Sequence, residues 1–325
     1  MKVFFTKKFR NSEYEILFNE INGFEITRGI NGKQDPFSLE LPSLLDIGIM
    51  GSCKNHCKFC YQGDYSEPDM KLDDFKSIID QTKHHVNQVA LGGRGDPNKH
   101  KHFKEIVEYC RKNKVVPNYT TSGVNLTDEE IEISRMCGAV GVSDYGMDFT
   151  YSAISRLTNK GIKVSIHIIY TRDNHDKIIK ILKGDDVWNG KVNNNYSVLF
   201  LLFKPQGRGK NLDWLPTSAQ IQQFSKLIFR PNTDFMVGID SCLVNKVLTF
   251  EQPNRIQKIS IDTCESSRCS GYITPDMKMM PCSFADKDKF SVDINNDIYS
   301  IWNSSNVFKK FRKTLRIDPK KCPLF

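Results

Sequence analysis

The 325-residue sequence is sparing in cysteine, with ten residues or about three per cent, well below the density that staples small secreted scaffolds. It also lacks a long apolar run: the longest uninterrupted one, Val198 to Phe203, is far shorter than the roughly 20 residues of a membrane-spanning helix. Near the start only Val3–Phe5 is apolar before Lys7 and Lys8, too little for a secretion-signal core. These absences exclude a disulfide scaffold and a membrane span. The expected setting is the reducing cytoplasm, with no membrane partner. There, grouped cysteines bind metal or do chemistry more often than they form bridges. No internal repeat or low-complexity tract is present, Asn193–Asn195 being too short to count. An arginine-rich aromatic motif of the RNA-binding kind is missing as well, although 46 basic and 38 acidic residues leave a net charge of +8. The lysines scatter over 7–8, 99–104, 111–114 and 309–313, which predicts a solvated basic surface rather than a nucleic-acid site.

What is present is an ordinary globular composition, 39% hydrophobic and 26% charged, with chain enough for a large core. Short runs rich in Val, Ile, Tyr and Phe predict strands at Leu44–Met50, Gln88–Leu91, Val115–Thr120, Ala139–Ser143, Lys163–Tyr170 and Tyr196–Phe203. Helical patterns follow each of them, at Lys71–His85, Phe103–Lys112, Asp128–Met136, Ser152–Asn159, Lys177–Lys183 and Ala219–Phe229. Thr127 with Glu130 is a capping box, and Gly161 reads as a helix stop. Six strand–helix units imply an α/β fold with parallel strands and right-handed crossovers, hence an open sheet or a barrel. Ligands then bind in the loops at the strands' C-terminal ends.

Residues 1–43 read as a small N-terminal β appendage with strands at Lys2–Phe5, Glu15–Phe18 and Phe24–Arg28. Residues 44–232 form the strand–helix core. Residues 233–325 are cysteine-rich and turn-rich, with a predicted strand at Asp234–Asp240 and a closing helix near Val307–Thr314.

The most specific feature is GSCKNHCKFCYQG, in which Cys53, Cys57 and Cys60 follow a CxxxCxxC spacing directly after the first predicted strand. Three thiolates so close in sequence can wrap one face of a metal centre. A structural zinc takes four protein ligands, usually in separated pairs, and His56 beside Cys57 is poorly placed to be the fourth. A 4Fe–4S cluster on three thiolates instead leaves one iron open to an outside ligand.

With Phe59 in the aromatic position, the motif resembles that of the radical S-adenosylmethionine (radical SAM) enzymes. The resemblance implies a partial (β/α)6 TIM-type barrel and a 4Fe–4S cluster on Cys53, Cys57 and Cys60. It implies SAM chelated at the open iron and cleaved to a 5′-deoxyadenosyl radical. After the second strand, LGGRGDPN resembles the family's glycine-rich SAM motif, with Asp96 in place of Glu and Arg94 interrupting the glycines. Gly92, Gly93, Gly95 and Asp96 are therefore expected SAM contacts. Ser122 and Ser143, with Thr120, Thr121 and Asp144, stand at strand ends where the family binds the SAM carboxylate and ribose; loop capping is the plainer alternative. His167 is expected to be a satisfied core histidine. Lys204 and Arg208 meet a carboxylate or form an exposed basic turn.

In CSGYITPDMKMMPC, apolar residues flank the turn signal Thr274-Pro275-Asp276, so the stretch predicts a hairpin. It resembles the SPASM and twitch extensions of radical SAM enzymes, which hold auxiliary 4Fe–4S clusters. Cys264, Cys269, Cys282 and Cys322 are fewer than a full SPASM set, so one auxiliary 4Fe–4S cluster on those four is expected. A structural zinc on the same residues is the competing reading. Cys110 and Cys137 lie on predicted helices as small core residues. Cys242 is expected either as a hydrogen-atom donor, as in some radical epimerases, or as a free core thiol. Members with such extensions modify peptides, so the expected partners are a ribosomal precursor peptide, crosslinked, epimerised or excised, and an electron donor such as flavodoxin or ferredoxin. Two other classes stay open: a sulfatase-maturase-like radical enzyme acting on a protein Cys or Ser, and a non-enzymatic zinc- or nucleic-acid-binding protein.

Overall fold

A computed structural model describes residues 5–21, 23–188, 190–192, 196–254, 257, 261–295 and 297–324. It contains two sheets. The smaller is antiparallel, in the order β1 (Lys7–Arg10), β2 (Tyr14–Phe18), β3 (Glu25–Gly29), with Lys7 opposite Phe18 and Tyr14 opposite Gly29. Its first strand begins after the Lys2–Phe5 stretch that the sequence suggests; residues 2–4 lie outside the described residues and Phe5 is outside the strand. The cause is the register with β2 together with Lys7, whose ammonium donates to the carbonyls of Lys83 (2.9 Å) and Val86 (2.5 Å) just past a helix end. Tyr14, Ile16 and Leu39 form a small apolar cluster of their own beneath this sheet.

The larger sheet carries parallel strands β4 (Leu44–Met50), β5 (Gln88–Gly93), β6 (Val116–Thr121), β7 (Val140–Ser143), β8 (Val164–Tyr170) and β9 (Tyr196–Leu202), side by side in chain order. Helices α1 (Leu72–Thr82), α2 (Phe103–Lys112), α3 (Asp128–Ser134), α4 (Asp148–Asn159), α5 (His175–Leu182) and α6 (Ser218–Ile228) follow them. This is a partial TIM-type barrel. The sheet continues with β10 (Met236–Ile239), parallel to β9, and α7 (Ser241–Val247). The capping box at Thr127 and Glu130 forms as its residues predict.

Alternation along the strands separates two environments. On β8, Val164, Ile166, Ile168 and Tyr170 are buried, whereas Ser165, His167 and Ile169 are partly exposed. The first set packs under the helices and the second lines the lumen. On β4, Leu45, Ile47 and Ile49 are likewise fully buried, with Asp46 on the opposite face.

The C-terminal residues close the other side of this sheet. β11 (Ser270–Ile273) pairs in parallel with β4, Tyr272 facing Asp46 in register. β12 (Lys278–Met280) and β13 (Val292–Asp293) extend it antiparallel. The expected hairpin is present, with Thr274 N donating to Lys278 O at 2.9 Å and Met277 in the left-handed region at φ 61°. Short α8 (Lys287–Phe290), α9 (Ile298–Ser304) and α10 (Asn306–Ile317) complete the chain. Trp302 of α9 is fully buried and donates from Nε1 to Leu39 O at 2.9 Å, tying the C-terminal helices to the segment that leaves the N-terminal sheet. No helix among the described residues is long and apolar enough to cross a membrane.

Candidate active site and the two cysteine groups

The loop between β4 and α1 carries Cys53, Cys57 and Cys60, all free and half-buried. It lies at the C-terminal ends of β4 and β5, where a parallel barrel places its ligands. Two glycines make room for it. Gly93 has φ 114°, a region that disfavours side chains, and a Cβ there would run into Met50 O. A Cβ on Gly95 would stand 2.5 Å from Ser52 O and 3.7 Å from Cys53 Cα, so the backbone just before the first cysteine rests on Gly95. Gly92 has open space above it. Gly95→Ala is expected to push Ser52 and Cys53 outward, costing about 1–3 kcal/mol of stability. Circular dichroism would show the fold retained while chemical denaturation and bound iron both fall.

Two arginines hold the rest of the loop. Arg94 is buried; its guanidinium donates to Gln62 O at 2.6 Å and Gly63 O at 3.3 Å, and lies 3.2 Å from the centre of the Tyr65 ring. The residue that interrupts the glycines is thus a clamp on the cysteine loop. Arg208, in the turn after β9, donates from Nε to Cys57 O at 2.9 Å, from its backbone N to Cys60 O at 2.9 Å, and pairs with Asp64 at 3.1 Å. It is neither an exposed basic turn nor a free cation. Lys204 pairs with Asp240 and lies 4.5 Å from the centre of the Phe284 ring.

Burial raises the Cys57 thiol above its ordinary value; the hydrogen bond it shares with Tyr145 and the charge of Arg208 oppose this, and the neighbouring Cys53 and Cys60 add to it. Tyr145 Oη lies 3.6 Å from Cys57 Sγ. Its ring stacks on Phe59 at 6.0 Å, and Phe59 meets Trp214 at 6.3 Å, so an aromatic row runs beside the three thiols. Tyr145 and Trp214 escaped the reading of the sequence. Tyr145 follows Ser143-Asp144 at a strand end, which is the signal that could have found it.

The strand-end hydroxyls divide in role. Asp96 accepts from the Ser122 backbone N at 2.8 Å and from Ser122 Oγ, so the structure joins these two expected contacts to each other. Thr121 Oγ1 accepts from Gly123 N at 3.1 Å, a loop cap. Asp144 is held by Lys177 at 2.7 Å and Trp188 Nε1 at 3.3 Å. Ser143 stands beside His167 in register.

His167 faces the lumen against Gly141, where a Cβ would meet its Cε1 at 2.5 Å. Burial alone lowers its imidazole from 6.5 to about 4. The unfolded chain takes up this proton near its ordinary value and the folded chain only near 4. Stability present above pH 6.5 is therefore lost as pH falls through 4, by about 3 kcal/mol in total. Chemical denaturation at pH about 7 and about 4 should show that extra loss in the parent and not in His167→Gln.

The C-terminal cysteines stand in differing surroundings. Cys282 lies two residues past β12, and its Sγ accepts from Phe284 N at 3.4 Å. Ser266 Oγ donates to Pro281 O at 2.8 Å, which holds the Cys264 loop against the hairpin. Burial pushes the Cys264 thiol up to about 11, with Cys322 adding to the rise. Cys269 faces elsewhere: it packs on the Tyr14, Ile16 and Leu39 cluster, and the strongest charge near it is Glu265. Cys242, at the start of α7, is pushed up to about 12 by burial, with Lys204 opposing and Cys264 and Cys322 adding. Cys110 and Cys137 are buried core thiols on or beside helices.

Between the two groups lies a cavity of about 780 Å³, lined by Tyr61 and Glu67 of the cysteine loop, Gln206 after β9, and Tyr272, Thr274 and Phe284 of the hairpin. Among the described residues no three His, Cys, Asp or Glu side chains converge tightly enough for a single metal ion. The all-thiol donor sets suit iron–sulfur clusters, which take one thiolate per iron.

Comparison with known proteins agrees with this layout. Residues 47–190 match the Radical SAM superfamily. The mycofactocin maturase MftC of Mycolicibacterium smegmatis is 23% identical over 300 residues, covering 85% of this chain and 74% of that protein. The sporulation killing factor maturation protein SkfB of Bacillus subtilis is 25% identical over 173 residues, 47% of this chain and 41% of that protein. In fold, the chain resembles Streptococcus suis SuiB bound to its precursor peptide SuiA, with a TM-score of 0.71, 14% identity, and coverage of 92% of this chain and 89% of that one. The chain carries a radical SAM domain at residues 47–190 and is an enzyme built around it.

Proposed function

We propose that this enzyme modifies a peptide, a ribosomal precursor in the cytoplasm, by hydrogen abstraction, with electrons supplied by a flavodoxin or ferredoxin. The observation that carries this reading is the cavity of about 780 Å³ between the three-thiol loop and the C-terminal hairpin. Its lining includes Tyr61, next in sequence to Cys60, and Ser283, next in sequence to Cys282. The likeness in fold to SuiB bound to its precursor peptide and the similarity to the maturase MftC support this reading.

In this reading Cys53, Cys57 and Cys60 hold a 4Fe–4S cluster and Phe59 flanks it. Residues 44–232 are the core, residues 1–43 an appendage, and residues 233–325 carry an auxiliary 4Fe–4S cluster. A reduced cluster bound there would supply the electron for reductive cleavage of SAM and so the means of hydrogen abstraction. The chain's own residues prepare the site. Asp96, oriented by Ser122, keeps lone pairs for the SAM ammonium, since an ionised carboxylate offers about four acceptor sites. Gly92 leaves the backbone accessible beside the loop, Gly93 and Gly95 let the strand end pack closely on it, and Ser143 offers a hydroxyl at the lumen rim. Arg94 and Arg208 fix the loop, and Tyr145 presents its hydroxyl to Cys57.

The test is anaerobic reconstitution followed by reduction in the presence of SAM. The expected result is 5′-deoxyadenosine, with a mass change in a precursor peptide encoded beside this gene. Zinc without iron, or no 5′-deoxyadenosine, would sink the radical reading; 5′-deoxyadenosine with every such peptide unaltered would sink the peptide reading alone.

A further inference from the structure

The four cysteines near the C-terminal hairpin do not share one environment. Cys269 stands on β11's leading edge, its carbonyl accepting from Ser43 N (3.0 Å) and Leu44 N (3.3 Å), and its side chain packs on the N-terminal cluster. That position gives its sulfur apolar neighbours from the N-terminal sheet. Cys242 comes from a different part of the chain, immediately past the C-terminal end of β10. A physical bridge links its loop to the hairpin. Asp240 caps α7 by accepting from Leu243 N at 2.8 Å, and also pairs with Lys204. Lys204 in turn lies over the ring of Phe284, whose amide donates to Cys282 Sγ.

The Ser266 Oγ bond to Pro281 O, 2.8 Å, likewise ties the Cys264 loop to the residue before Cys282. Burial raises the Cys282 thiol, and Cys242 and Cys264 add to that rise. Cys242 in turn feels Cys264 and Cys322, and Cys264 feels Cys322. For Cys269 the strongest charged neighbours are Glu265, Arg268 and Asp262.

We infer that the auxiliary centre is held by Cys242, Cys264, Cys282 and Cys322, with Cys242 in the place the sequence offers to Cys269. The inference rests on the reading that the C-terminal region holds an iron–sulfur cluster. Four thiolates and the cluster carry net negative charge, which Lys204 opposes at Cys242 and Arg268 opposes at Cys264. It further means that the barrel's β10 end and the C-terminal hairpin share one centre, so the auxiliary cluster would staple the rim of the cavity.

The experiment uses a background in which Cys53, Cys57 and Cys60 are all replaced by Ala, so that only the auxiliary centre remains. After anaerobic reconstitution that background is expected to keep about four iron and four sulfide per chain. Adding Cys242→Ala should remove at least half of that iron, and adding Cys269→Ala should remove none. Cys242→Ser, a weaker oxygen ligand, should shift the electron paramagnetic resonance spectrum of the reduced cluster while circular dichroism stays unchanged. Iron lost with Cys269→Ala and kept with Cys242→Ala overturns the ligand assignment. A background devoid of any metal overturns the auxiliary-cluster reading and the assignment with it. Zinc in place of iron overturns only the cluster reading, and zinc content in the same variants then decides the ligands.

Discussion

Cys57→Ala is expected to abolish 5′-deoxyadenosine formation, a fall of more than about 10³-fold, beyond the roughly 10–100-fold typical of outer-shell changes at metal sites. Cys57 sits at the middle of the three-thiol loop. Its carbonyl is held by Arg208 Nε at 2.9 Å and by Cys60 N at 3.2 Å, so the backbone stays in place when the sulfur is removed. What is lost is the thiolate itself, leaving two where three are needed to bind a cluster with one open iron. Iron should fall by about four per chain while the auxiliary centre stays. Tyr145→Phe provides the graded comparison. It keeps the ring on Phe59 and removes the hydroxyl 3.6 Å from the sulfur, so a loss of about 10–100-fold is expected. Full 5′-deoxyadenosine production by Cys57→Ala would overturn the assignment of the loop.

Trp302→Ala is expected to cost about 3–5 kcal/mol of stability, the usual range for deleting a buried aromatic. Trp302 is fully buried on α9, its ring 5.4 Å from that of Phe308, with the Arg312 guanidinium 5.4 Å away. The substitution also leaves Leu39 O without its donor. A cavity and an unsatisfied carbonyl then open where the appendage, the hairpin and the C-terminal helices meet. Trp302→Phe should keep most of the packing and cost about 1–3 kcal/mol through the lost hydrogen bond. Denaturant titration measures both. A cost below about 1 kcal/mol for the alanine variant would mean that the C-terminal helices unfold apart from the barrel.

The barrel was legible because its strands are buried on one face and bounded by helical patterns. Leu44–Met50 and Phe103–Lys112 fall where the apolar runs place them, and the other elements differ by a few residues at their ends. The cysteine loop was legible through its spacing, and its supports were not. Arg94 and Arg208 hold it from β5 and from the turn after β9, a convergence that depends on strand order and is invisible in linear sequence. The same limit explains Cys269 and Cys242. Nearness in sequence grouped Cys269 with Cys264, yet the turn before β11 directs it to the N-terminal sheet. Cys242 lies 22 residues before Cys264 in the sequence, and only the pairing of β10 with β9 brings its loop to Lys204.

The parallel pairing of β4 with β11 has a consequence for how the chain is made. Ser270 comes 220 residues after Met50, so β4 leaves the ribosome long before its outer partner exists. At about 5–20 residues per second the wait is about 11–44 s. Throughout it, one edge of a strand bearing Leu45, Ile47 and Ile49 stays unpaired and open to other chains. Newborn protein is thus most exposed to aggregation and most dependent on chaperones before the hairpin emerges, and synthesis that stalls short of residue 270 leaves that edge open.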